Sequence, residues 1–480
     1  MKNKRDNKLL VVNMISSGLF QLLMLMVPII TTPYVSRIFS PEDIGLYATS
    51  LGYTSIFVAI SAFGIPIFGP REIAKTNGIY ERTTTFMHIW SVQIICSLSS
   101  FLFFLLISSA KPERNIYLVQ SLLIIISIFD VSWFFIGIEE IRKNLFRNFI
   151  TKLVATCLIF LTIKSKNQLL LYTAINVGAM LLGNISMFIQ LPRYLSIKNV
   201  KIEVKINYQM FLTMFTLMIP MLLDTFKNSI SKIILNWQTG NYEVGIYDQG
   251  IKIIIICLGI VTSMSNAIAP RMSYLVSIGS EEQLSGYFEK FSRLIFALSI
   301  MLITGITSVG EFFVPIFFGF GYEDVLPVLL IGSFSILFSS LNVFMMNGLI
   351  IPKSKDSLLL KSSFFSAVTI VIFNLIFDPF LKAIGAALAF SISSIVLFMI
   401  YCYILKADIN LKLLLINLTK CLVLILIFSS IIIFIKAHLT LDNNILSFFF
   451  YAIVTIVICL LYFIVCFIFN KCRLKNKVER

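Results

Sequence analysis

Ionisable residues inside long apolar runs carry the chemistry of this sequence. Asp224, Lys227 and Lys232 fall in one run, Asp248 and Lys252 in the next. Asp224 and Lys227 stand i,i+3, and Asp248 and Lys252 stand i,i+4, so each pair shares a helix face. Charges at membrane depth are costly and face a wet cavity or one another. The cluster reads as a cationic binding surface with Lys227 and Lys252 at its centre. Asp224 and Asp248 would tune it or couple it to an ion. Lys232 reads as the outermost member, near the interface. A closed set of structural ion pairs is the competing reading. Asp130 lies in another run with no basic residue in its own segment. It fits either a proton- or cation-coupling carboxylate or a structural Asp paired with another helix.

Other polar residues follow helical spacing. Asn13, Ser17 and Gln21 recur every fourth residue, a stripe suited to sugar hydroxyls or to helix–helix hydrogen bonds. Arg37 lies at the end of the first hairpin, and guanidinium groups pair bidentately with phosphate. Arg71, Lys75 and Arg271 read as cytoplasmic-face cations, available to lipid headgroups. No Walker motif, nucleophile elbow, metal-ligand set or paired-carboxylate constellation occurs. No catalytic residue, metal or cofactor is therefore assigned, apart from an H+ or Na+ gradient as driving force. The eight Cys read as small apolar residues rather than disulfide partners.

These residues need elements to hold them. Of 480 residues, 58% are hydrophobic and 13% charged, with a net charge of +15. Mean hydropathy is +0.92. Soluble domains are typically about 45–50% apolar and roughly 25% charged, so a soluble enzyme is excluded. The basic excess points to cytoplasmic membrane loops rather than to nucleic acid. Fourteen helical spans are expected, at about 9–30, 44–63, 84–108, 116–138, 145–163, 168–190, 208–236, 245–267, 290–308, 325–350, 358–377, 383–405, 413–435 and 446–469. Glu311 to Tyr322 reads as a hydrophobic interfacial loop. Placing both termini in the cytoplasm puts most loop Lys and Arg inside.

A repeat is visible. Asp43-Ile44-Gly45-Leu46-Tyr47 and Glu243-Val244-Gly245-Ile246-Tyr247 share the order acidic–aliphatic–Gly–aliphatic–Tyr at an offset of 200 residues. Pro70-Arg71 and Pro270-Arg271 share that offset. The acidic residue suits a helix start, and Pro-Arg is expected to end the helix. Two six-helix lobes, 1–200 and 201–407, would then be parallel repeats. Residues 408–480 would add two helices and a basic tail.

Pro33-Tyr34-Val35-Ser36-Arg37-Ile38, Pro41-Glu42-Asp43-Ile44-Gly45-Leu46-Tyr47 and Gly69-Pro70-Arg71-Glu72-Ile73-Ala74-Lys75 resemble the N-terminal part of bacterial Wzx-type polysaccharide flippases. The resemblance implies an all-α integral membrane fold, MATE/MurJ-like, with two pseudo-symmetric lobes and two extra helices. It implies a substrate, an undecaprenyl-pyrophosphate-linked oligosaccharide, turned between leaflets of the bacterial cytoplasmic membrane for O-antigen or capsule. Implied partners are membrane lipids and the polymerase and glycosyltransferases of the same pathway. An ion-coupled drug or cation antiporter on the same fold is the alternative. The basic character of the cluster counts against it.

Overall fold

The computed structural model describes residues 26–196, 208–439 and 444–458. Among these, all regular secondary structure is helical. Twelve helices or helix pairs are long and apolar enough to cross a membrane. Residues 26–38 (α1) and Asn444–Ile458 (α16) are the described parts of the first and last expected spans. Many large apolar side chains stay exposed, such as Leu106, Leu161 and Phe434. Lipid, not water, is the solvent that tolerates such a surface. The chain is a multi-pass membrane protein.

By contacts the molecule divides into two compact units. The first is Met1–Asp248 with Ser363–Ala386, the second Gln249–Ser362 with Ala387–Arg480.

In the first unit, α2 (Pro41–Ala62) opens with a capping box. Ser40 accepts from the Asp43 amide, and Asp43 accepts from the Ser40 amide. Span 2 then breaks at Phe63 and Gly64, whose φ values are 45° and 72°. It resumes as α3 (Ile65–Ala74). After α4 (Ile79–Ser109), span 4 is also broken. Its first part is α5 (Arg114–Ile126), followed by a 3-10 turn at Ser127–Phe129, extended Asp130, and α6 (Ser132–Gly137). Side chains from α4 cover the carbonyls freed there: Gln93 donates to Ser127 O and Asp130 O, and Trp90 to Ile128 O. Backbone freed in a membrane span needs such partners. Helices α7 (Ile141–Thr162) and α8 (Leu169–Phe188) follow.

Helix α9 (Tyr208–Thr239) turns through Gly240 into α10 (Asn241–Ser277). The repeat motifs meet here. A Cβ on Gly45 would strike the Asn241 carbonyl, and a Cβ on Gly245 would strike the Pro41 carbonyl. The contact is reciprocal at the same 200-residue offset, so helix starts α2 and α10 cross backbone to backbone. Asp43 and Glu243 are both third residues of their helices, as the motif required.

Two expectations need correction. Pro70-Arg71 and Pro270-Arg271 end no helix: Pro70 lies inside α3 and Pro270 inside α10. A proline removes one donor, but the turns around it persist when packing holds them. Glu311–Phe318 is not loop but the end of α11 (Glu281–Phe318), with Pro315 inside it; only from Gly319 does the helix stop.

The second unit packs α11 against α12 (Val325–Met345) and α15 (Leu411–His438). Helices α13 (Asp356–Leu381) and α14 (Ala383–Ile404) start or end in it. Its interior is rich in small polar residues. Ser339 and Asn342 of α12 donate to Ser394 of α14 at 2.9 Å each. Such residues let membrane helices approach and bond. The C-terminal end of span 10 is a π-helical segment, Met346–Ile350. Lys436 of α15 pairs with Glu311 at 3.3 Å and lies over the rings of Phe312 and Tyr451, tying α15, α11 and α16 together.

Candidate functional site

The densest ionisable cluster lies in the first unit, where α9 and α13 end and α10 and α14 begin. Lys232 of α9 pairs with Asp248 of α10 at 2.5 Å, both side chains mostly buried. Glu243 pairs with Lys382 at 3.1 Å and accepts from the Ala383 amide, capping α14. Asn374 of α13 donates to Ser231 of α9 at 3.1 Å. One turn on, Asp378 is fully buried, and neither of its carboxylate oxygens has a hydrogen-bond partner among the described residues. The Asn374 side-chain carbonyl is likewise unsatisfied. A buried carboxylate without donors is strongly disfavoured unless it takes a proton or a cation.

The structure places the expected residues unevenly. Lys232, expected at the interface, is instead the ion-pair partner of Asp248, because α9 runs on to Thr239 and leaves Lys232 two turns inside its end. Asp224 and Asn228 are exposed and Lys227 is half-buried on the same helix. Lys252 is half-buried one turn beyond Asp248 and donates to the Gln249 side chain at 3.1 Å. Asp130 has a partner on the next span: Arg147 of α7 lies 3.6 Å away and also bonds Asn184 and Asn148. Asp130 caps α6 through the Ser132 amide as well. Arg37 is exposed at the end of α1, Arg71 is exposed in α3, and Lys75 pairs with Glu72. Arg271 lies between the rings of Tyr274 and Tyr287. Asn13, Gln21 and both basic tails lie outside the described residues. Asp378 escaped sequence reading because span 11 was expected to end at about 377; the helix continues through Pro379 to Leu381. An acid one residue past an apolar run was the available signal.

The profile of the polysaccharide biosynthesis protein family matches residues 10–276, more than half of the chain. The chain belongs to that family. It is 26% identical over 420 residues to the capsular polysaccharide biosynthesis protein CapF of Staphylococcus aureus, covering 84% of this chain and 99% of the relative. It is 22% identical over 360 residues to a putative O-antigen transporter of Shigella dysenteriae, covering 71% and 86%. Its fold is similar to the inward closed lipid II flippase MurJ, with a TM-score of 0.70, 14% identity, and coverage of 96% and 99%. It is also similar to an inward-facing MATE multidrug transporter, with a TM-score of 0.61, 14% identity, and coverage of 81% and 95%. This family member is a multi-pass membrane protein with the fold those two structures share.

Proposed function

We propose that this family member turns an undecaprenyl-pyrophosphate-linked oligosaccharide from the cytoplasmic to the outer leaflet of the bacterial cytoplasmic membrane. It works by alternating access of its repeat halves, without covalent chemistry. A capsular and an O-antigen relative support the substrate class. The observation that carries it is that three lysines fall within the apolar helices α9 and α10: Lys227, Lys232 and Lys252. Pyrophosphate and sugars do not cross hydrocarbon bare, because an unpaired charge there costs several kcal/mol. Lys227 and Lys252 attract the pyrophosphate, while Lys232 is held by Asp248. Arg37 receives the phosphate on the far side, and Asn13 and Gln21 bond sugar hydroxyls. The cycle is driven by a proton or sodium ion taken up at Asp378, with Asp224, Asp248 and Asp130 adjusting the balance of charge. The pathway's glycosyltransferases supply the substrate and its polymerase consumes it.

The test is complementation of a strain lacking the chain, with surface polymer measured at equal protein level. Lys227→Ala with Lys252→Ala should lower polymer at least about tenfold, the loss of roughly 1.5–3 kcal/mol from charged hydrogen bonds. The Lys→Arg pair should retain more. Asp378→Asn should abolish the dependence of polymer output on the ion gradient. Undiminished polymer in the double Ala variant would sink the anion reading.

A further inference from the structure

The C-terminal part of α10 presents a second polar surface, entirely within the second unit. Asn266 is exposed, and its side-chain carbonyl accepts from Asn347 Nδ2 at 2.8 Å. Asn347 belongs to the π-helical segment, and such bulges often occur at functional sites. The segment is packed down by Gly348, which lies against Met272 of α10. Pro270 has no amide hydrogen to offer the Asn266 main-chain carbonyl one turn back. The exposed Asn266 and half-buried Asn347 thus set a pair of side-chain amides, each with both donor and acceptor atoms, on the surface of the second unit. That face continues along α10 through exposed Ser273 and Tyr274. Arg271 is held there with its guanidinium carbon 5.3 Å from the Tyr274 ring and 5.6 Å from the Tyr287 ring.

We infer that this face is a saccharide-phosphate docking site. The Asn266–Asn347 amides bond sugar hydroxyl or acetamido groups, and Arg271 between its tyrosines takes the phosphate. Amides on a membrane-spanning helix do not face acyl chains. Mixed donors and acceptors fit vicinal hydroxyls, exposed aromatic faces fit sugar rings, and guanidinium fits phosphate. The inference rests on the flippase reading and adds to it the place where the headgroup first docks. It is separate from the lysines of α9.

The experiment footprints the face with the native substrate, in the native host. All eight cysteines are replaced by alanine, and exposed Ala267 is changed to Cys as reporter, with Ser273→Cys as a second reporter. A charged methanethiosulfonate reagent is applied from the cytoplasmic side of inverted vesicles. Vesicles come from cells lacking the polymerase, where lipid-linked repeat unit accumulates, or from cells also lacking the first glycosyltransferase, where none is made. Labelling should be about tenfold slower when the repeat unit is present, because a docked ligand covers most of the surface it touches. Asn266→Leu with Asn347→Leu should abolish that protection. Equal labelling in both vesicle types overturns the inference. So does protection that persists without the glycosyltransferase, because lipid phosphate alone is then the occupant. If deleting the chain leaves surface polymer unchanged, the flippase reading fails; if polymer is lost but the reporters are never protected, only the docking site fails.

Discussion

Two aspartates show how setting decides what a carboxylate does. Asp378 is fully buried one turn from the end of α13, and neither carboxylate oxygen has a hydrogen-bond partner among the described residues. Asp408 lies in the loop between α14 and α15, where Lys353 and Lys355 bond its two oxygens at 2.5 and 2.6 Å. Burial alone would raise the Asp408 carboxyl. The hydrogen bonds and charges of the two lysines outweigh it and hold it below the usual carboxylate range. Its contribution to stability is therefore present above the unfolded value of about 3.9 and is lost as pH falls through the lower folded value. Asp408→Asn should lower the thermal midpoint in detergent at neutral pH, a loss of about 1 kcal/mol because solvent reaches the pair. It should also remove part of the fall in midpoint seen below about pH 4. Identical acid-side profiles for Asp408→Asn and wild type would show that the lysines do not hold the carboxylate.

At the scale of elements, the crossing of α2 and α10 is the tightest contact the repeat makes. Gly45 and Gly245 each lie on the other helix's first carbonyls. Gly45→Ala or Gly245→Ala forces the backbones apart and should destabilise by about 1–3 kcal/mol, the usual cost of overpacking. Because both act on one contact, the double variant should cost less than the sum. Thermal unfolding in detergent reads this directly, and strict additivity would mean that the two sites do not share a contact. The motif, its offset and the acidic third residue were legible because helix starts have local signatures. The spans were legible because hydropathy is local too. The breaks at Phe63–Gly64 and Ser127–Asp130 were not. The second depends on Gln93, Trp90 and Asn184, which lie far away in sequence and bond the opened backbone only after folding. The same limit hid the Arg147 partner of Asp130 and the Asp248 partner of Lys232. Sequence spacing shows which residues share a helix face, not which helix that face meets. Thus the residue types of the candidate site could be read in advance, while its pairing and the orphaned Asp378 could not.

At the scale of the whole molecule, the proposed docking face requires one orientation of the chain in the membrane. Asn266, Asn347 and Arg271 lie at the ends of spans 8 and 10 that meet the loops at Gly279 and Lys353. Glu243 and Asp248 lie toward the other end of α10, beside the turn at Gly240. The proposed substrate, made in the cytoplasm, would have to reach that face from inside. The loop charges agree, since cytoplasmic loops retain Lys and Arg during insertion. Alkaline phosphatase folds actively only outside the cytoplasm, so its fusions report each loop. Fusions after Lys111, Lys164 and Gly240 should be active, and those after Gly279, Lys355 and Asp408 should be inactive, with a fluorescent protein fused to Arg480 bright in the cytoplasm. The reversed pattern would put the amide pair and Arg271 on the outer surface, where no newly made repeat unit arrives. It would defeat the direction of transport and the docking site together, while leaving the fold and the ion pairs as they are.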